Sequence, residues 1–233
     1  MNRYINQLLS RLSRDDQELL LPSLTRVELH KDDVLFEPQQ EIGFLHFFEG
    51  GLSSEIATSP EGIAIEVGCV GWEGMSGIPI LLGSDRSAHR SFMQVGGTAF
   101  RATSSDITSA IDRSKTLRAA LLRYAHVFMM QIASTALANG RYNIQQRLSR
   151  WLLMSHDRVG ANIPLTHDFL ALMLGVRRPG VTEALHVLEG EHVIKSFRST
   201  VIVIDRPKLE RMAGGAYGVA EAEYSRLLQT SDS

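Results

Sequence analysis

Two adjacent arginines, Arg177 and Arg178, open an apolar-periodic run in which Thr182 and Glu183 follow one helical turn later. A guanidinium reads guanine through paired hydrogen bonds to O6 and N7, whereas a glutamate accepts from cytosine N4 and repels phosphate. Such side chains at the amino end of one helix are equipped to meet the floor of a DNA major groove. Further on, Lys195, Arg198, Ser199 and Thr200 surround a polar turn between two short apolar runs. That placement suits backbone phosphates, which position a protein without specifying sequence.

These side chains need elements that hold them. A helix-turn-helix requires a small residue where its helices touch, a residue tolerant of positive φ at the turn, and apolar residues that seat the second helix on the first. Ala171, Gly175, and Val181 with Leu185 meet these demands, and Leu170, Leu174 and Val176 fill the space between. Thr166 is placed to cap the first helix, beside the reading residues, and Pro179 falls in the first turn of the second, where a missing N–H costs little. Residues 195–204 then read as strand, turn and strand, the hairpin wing of a winged helix.

The 233 residues suffice for two modest domains, and 44% hydrophobic content is enough for a real core. No run reaches the apolar length of a membrane span, and the N-terminal residues mix charge with apolar positions, so a cytoplasmic protein without membrane attachment is expected. The single cysteine, Cys69, argues against an internal disulfide, a cysteine-only zinc site and a four-cysteine iron–sulfur cluster. A net charge of −2 hides an asymmetry: residues 1–113 carry 9 basic and 16 acidic side chains, whereas residues 141–206 carry 9 and 6. The basic surplus lies with the candidate reading helix, as in a DNA-binding half joined to one of different purpose.

Before residue 25, Ile5, Leu8, Leu9, Leu12, Leu19 and Leu20 have helical spacing, with Ser13 to Asp16 a cap between two short helices. Seven β-rich runs follow, at 27–29, 34–36, 44–48, 52–57, 63–70, 89–95 and 98–101, and 11 of the 19 glycines fall among them. Short strands with Gly-rich turns predict an antiparallel sandwich or jelly roll. Residues 114–137 lack Gly and Pro, and Leu117, Leu121, Tyr124 and Phe128 step by four, three and four along one helical stripe. Leu122, Ala125, Met129, Ile132, Ala133 and Ala136 widen the apolar surface to two faces, one for the chain's own barrel and one for the same helix of a second subunit. Leu117, Leu121, Tyr124 and Phe128 supply the expected dimer interface; burial of both faces within one large domain is the alternative. Asn139-Gly140 is the expected hinge. The predicted architecture is α+β: a β-roll effector domain at 1–113, a dimerisation helix at 114–139 and a winged helix-turn-helix domain at 140–233, with residues 221–228 adding one helix to the winged domain.

This order of parts resembles the Crp/Fnr superfamily, the bacterial cyclic-AMP receptor and fumarate–nitrate reductase regulators, over nearly the full chain. The resemblance rests on Glu49-Gly50-Gly51 after a strand, Gly71-Trp72-Glu73-Gly74, Arg86-Ser87-Ala88, Asn139-Gly140-Arg141-Tyr142 followed by residues 146–153, and the helix-turn-helix. It implies a homodimeric transcription regulator bound to a two-fold symmetric operator on double-stranded DNA. An effector event in the roll would move the DNA-binding domains about the hinge, and RNA polymerase would be a partner if the protein activates. Members that bind a cyclic nucleotide use a Gly-Glu turn for the ribose and an Arg-Ser pair for the phosphate. Glu73 and Arg86-Ser87 match these in type and order and are the candidate effector-binding residues. Trp72, however, stands where the cassette has glycine, thirteen positions separate Glu73 from Arg86, with Pro79 inside the longer interval, and Ile132 and Ala133 fall where the purine would need hydrogen bonds. These departures disfavour a cyclic nucleotide and leave the effector unnamed. In the reading helix Arg178 aligns with a base-reading arginine, while Pro179 stands for an expected glutamate and Glu183 for an expected arginine, so a different operator is implied.

Other readings compete. His46 or His89 as an axial ligand would make the roll a haem sensor. An enzyme would need its catalytic groups after the long helix, where the sequence has no nucleophile elbow, phosphate-cradling Gly loop or His/carboxylate cluster at metal spacing; no enzymatic activity and no metal site are expected. A DNA-free interaction module would keep the helix pair as a packing hairpin.

Overall fold

The structure is a computed structural model that describes residues 4–228. Asn6 and Ser13 cap the first two short helices, α1 (Gln7–Ser10) and α2 (Arg14–Leu20), each side-chain oxygen accepting from a first-turn N–H. All seven expected strands form: β1 (Thr25–Leu29), β2 (Val34–Phe36), β3 (Phe44–Phe48), β4 (Leu52–Thr58), β5 (Ala64–Val70), β6 (Arg90–Val95) and β7 (Gly97–Thr103). They pair antiparallel as two sheets, ordered β1-β7-β3 and β2-β6-β4-β5, with the short α3 (Ile78–Leu81) between β5 and β6. Two turns meet backbone to backbone, where a Cβ on Gly97 would stand 2.2 Å from the Gly50 carbonyl oxygen. Phe47, Phe48, Leu45, Met75 and Met93 fill the roll.

After α4 (Ser104–Arg113), Ser114 caps α5 (Lys115–Arg141), a 27-residue helix about 40 Å long at 1.5 Å per residue. The helix runs through Asn139 and Gly140, so the expected hinge is displaced. A helical glycine costs only about 1 kcal/mol against alanine, and the chain instead turns at Tyr142 and Asn143. There Asn143 and Gln146 form a reciprocal capping box that starts α6 (Ile144–Val159).

Three strips of α5 have different surroundings. Leu117, Leu121, Tyr124 and Phe128 are buried in the chain's own core, which corrects their expected place in a dimer interface. Phe128 closes against Gly68, where an added Cβ would lie 2.7 Å from the ring, and the Tyr124 hydroxyl bonds both the N–H and the carbonyl of Met75. A second strip is covered by α10 (Val219–Leu228). This tail helix does not join the winged domain as expected: the Tyr224 hydroxyl donates to the Glu73 carbonyl at 2.7 Å and lies 3.0 Å from the Gln7 side chain, tying the tail to the roll and to α1. The third strip, Ala119, Leu122, His126, Met129, Ala133, Ala136 and Gly140, steps by alternate threes and fours and is exposed throughout.

The remaining elements, β8 (Asn162–Pro164), α7 (His167–Leu174), α8 (Arg178–Gly190), β9 (Ile194–Phe197), β10 (Thr200–Val203) and α9 (Arg206–Ala213), pack with α6 around Leu152, Leu170, Val181, Leu185 and Val201. This unit abuts the roll: Phe169 meets Phe92 edge-on at 6.4 Å, and Trp151 Nε1 donates to Glu66 at 2.8 Å.

Candidate nucleic-acid interface

The candidate reading helix is placed by local chemistry. Thr166 caps α7, its hydroxyl accepting from Phe169 N–H at 3.2 Å. Gly175 ends α7 at φ +59°, and a Cβ there would also come within 2.7 Å of Ile65 on β5, so glycine serves both the turn and the close approach of the roll. Arg177 is the N-cap of α8 with extended backbone and no side-chain cap, Arg178 is its first residue, and Pro179 occupies the first turn.

Arg177, Arg178 and Glu183 are exposed, and Arg178 lies 3.4 Å from Asp168 in a solvent-facing pair. Thr182 is half-buried, with its hydroxyl 3.3 Å from His167 Nδ1. The other ring nitrogen of His167 is 3.4 Å from the Ser196 hydroxyl on β9. One imidazole thus touches both the reading helix and the wing, a role that nothing in the spacing of His167 disclosed.

The wing is a three-stranded sheet, β8-β10-β9, with Arg198 and Ser199 at the tip. It is fastened to the end of α8 by Glu189, which accepts from Ser196 N–H, and to the start of α7 by Leu165 N–H donating to Ser199 at 3.0 Å. Lys195, Arg198, Ser199 and the unanticipated Phe197 are exposed, and Thr200 is half-buried. Arg147 on α6 donates to Asn139 at the end of α5 and to the Leu174 carbonyl at the end of α7, linking the long helix to the helix-turn-helix.

The candidate effector residues are drawn apart. Glu73 receives Nε and Nη2 of Arg158 at 2.8 and 2.7 Å, and its second oxygen accepts from Gly71 N–H. Arg86 is exposed, beside Asp85 and the Gln39 carbonyl, while Ser87 accepts from His89 N–H. The cavity that Glu73 lines includes neither Arg86 nor Ser87. With the carboxylate committed to Arg158, and Tyr124 and Phe128 packed against the roll, these residues do not fit a cyclic nucleotide. His46 is buried, 3.3 Å from the Ser76 hydroxyl, and desolvation together with Arg101 lowers its pKa to about 4. No group of three or more His, Cys, Asp or Glu among the described residues is placed to hold a metal ion, and no helix among them is long and apolar enough to cross a membrane.

Residues 146–212 match the Crp-like helix-turn-helix domain. Many solved structures share the fold, among them the following three. FixK2 from Bradyrhizobium japonicum is 14% identical with a TM-score of 0.68, over 81% of this chain and 96% of that one. A transcriptional regulator of the Crp/Fnr family from Eubacterium rectale is 16% identical with a TM-score of 0.66, over 88% and 97%. The c-di-GMP-responsive global regulator CLP from Xanthomonas campestris is 16% identical with a TM-score of 0.64, over 82% and 99%. No curated protein matches the chain by sequence.

Proposed function

We propose that this chain, which carries a Crp-like helix-turn-helix domain on the fold of the Crp/Fnr transcription regulators, is a homodimeric regulator that reads a two-fold symmetric site on double-stranded DNA. The observation that carries the reading is the pair Arg177 and Arg178, exposed at the start of a helix that a positive-φ glycine and a threonine cap present beside a basic wing. In this reading Arg178 contacts a base edge, and Arg177, Thr182 and Glu183 shape the choice of neighbouring bases. Thr166, Lys195, Arg198 and Ser199 bind phosphates.

The exposed strip Ala119, Leu122, His126, Met129, Ala133, Ala136 and Gly140 is the dimer seam. Its three-four spacing is that of a coiled coil, and its small residues let two helices approach closely. Met129 is 56% exposed and Leu122 41% in the single chain, a cost that a second copy of α5 removes. Leu122→Glu with Met129→Glu should give monomers in sedimentation equilibrium; an unchanged dimer would place the seam elsewhere.

The test of the whole reading is selection of binding sites from random duplex DNA by the purified protein, with and without cyclic AMP. Enrichment of a palindrome with half-sites roughly 34 Å apart supports it. No enrichment in either arm, repeated at low salt where phosphate contacts are strongest, would leave the helix pair a packing hairpin.

A further inference from the structure

A cavity of about 280 Å³ lies where α5, α6, α10 and the turn at Trp72 and Glu73 converge, at the low end of the few hundred Å³ usual for small-molecule sites. It is separate from Arg86 and Ser87, and its walls come from the roll, the long helix, the winged unit and the tail helix.

Charge around the cavity is unequal. Arg158 is held by Glu73 and donates its remaining Nη1 to the Met154 carbonyl at 2.7 Å. Arg206 is held by Asp157 at 2.8 Å and by Glu210 at 3.0 Å. Arg150, buried behind the cavity, has the carboxylates of Glu221 and Glu66 in its field. Among the lining residues, two guanidiniums, Arg158 and Arg206, thus face three carboxylates, Glu73, Asp157 and Glu221. Glu221, on the first turn of α10, lines the cavity with no ion pair among the described residues; one of its oxygens accepts from Gly218 N–H at 3.0 Å.

The other lining groups include aromatic side chains and two amides, Gln7 and Gln131. Tyr217, Tyr224, Tyr124 and Trp72 have their polar atoms engaged with Asp157, the Glu73 carbonyl, Met75 and the Asp157 carbonyl respectively. Arg206 already lies over the Tyr217 ring at 5.7 Å and Arg11 over the Tyr224 ring at 5.8 Å, and Tyr124 and Phe128 are packed in the core, so Trp72 is the aromatic side chain left to a ligand. Gln131 is 7% exposed; its side-chain oxygen accepts from Cys69 N–H at 2.8 Å, and its Nε2 has no partner among the described residues. A carboxylate without an ion pair, beside the indole of Trp72, favours a cation over an anion, and the Gln131 amide donor suits a hydroxyl or carbonyl at the far end of the same molecule.

We infer that this junction is a binding site for a small organic cation, an amine on an aromatic or apolar body, with Glu221 as its counter-charge. Bound there, the cation touches the roll and the DNA-reading unit at once and modulates DNA binding, a consequence that rests on the function proposed above.

Isothermal titration calorimetry without DNA tests the site independently of that function. The probes are tyramine and its near-isostere 4-hydroxyphenylacetate, which differ in the sign of the terminal charge. Tyramine should bind and the acid should not. Glu221→Gln should weaken tyramine about tenfold or more, the loss of one charge-assisted contact. Ser225→Trp, which fills the cavity from α10, should abolish binding, with circular dichroism confirming the fold. Binding of the acid as tightly as the amine, no heat with tyramine, or indifference to Glu221→Gln would each overturn the site. In a second arm, the affinity for the selected DNA should change with tyramine in the wild type and not in Glu221→Gln. Binding without any change in DNA affinity would overturn the modulation alone.

Discussion

Two arginine–carboxylate pairs in this molecule use the same chemistry for opposite ends. Arg178 and Asp168, at the reading helix, are 3.4 Å apart with side chains 63% and 70% exposed; Arg158 and Glu73, between α6 and the roll, are 2.7 Å apart and 9% and 18% exposed. In water the first pair is worth little, and its arginine is free to exchange a carboxylate for a base edge. Away from water the second has few alternatives, because either partner alone would be a buried charge without compensation. Burial, more than the identity of the residues, separates the proposed reader from the lock.

The comparison breaks most easily at the lock. Arg158→Met leaves Glu73 uncompensated and should cost on the order of 3–5 kcal/mol of stability by denaturant unfolding, with Glu73→Gln in the same chain restoring part of it. A loss below about 1 kcal/mol would mean that water reaches the pair. At the reader, Arg178→Ala should cost roughly 1–3 kcal/mol at the selected DNA site and relax base choice there, with no comparable loss of stability. Equal weakening on all DNA would assign Arg178 to phosphate.

Glu55 extends the series to a buried carboxyl without an arginine: it is 4% exposed, shares a face of the sheet with Gly68, and one oxygen has no partner among the described residues. Desolvation pushes its pKa up to about 7. The folded chain therefore holds a proton that the unfolded chain releases, and stability from this group falls as pH rises from the ordinary carboxyl range to about 7. Glu55→Gln should raise stability at pH 8 by on the order of 2 kcal/mol and leave it unchanged near pH 4; equal effects at both would show that ionisation is not what Glu55 contributes. The smallest effect is expected for Asp168→Asn, within about 0.5 kcal/mol in unfolding.

The roll's strands were legible because the short apolar runs are punctuated by turn residues, glycines in most and Asp32 and Asp33 between β1 and β2. The helix-turn-helix was legible for a related reason, since Thr166, Gly175 and Pro179 each carry a backbone requirement of their own. Periodicity failed on α5. Its apolar residues support several stripes, and which one faces outward depends on α10, whose docking is set by Tyr224 across 217 residues from Gln7. The end of α5 is set by the capping pair Asn143 and Gln146 rather than by Gly140, a lone glycine that a helix tolerates. Glu73 is expected from its motif to face an effector, whereas its carboxylate pairs with Arg158, 85 positions away, and no local pattern joins the two.

The docking of α10 also sets an order on synthesis. A chain emerging from the ribosome has made the roll, the long helix and the winged unit before residues 219–228 exist. Until then the strip of α5 beneath the tail helix is bare, and α1 lacks its tie to Tyr224. From the completion of α5 at residue 141 to the appearance of residue 219, one strip of the long helix therefore stands without the cover it has in the folded chain.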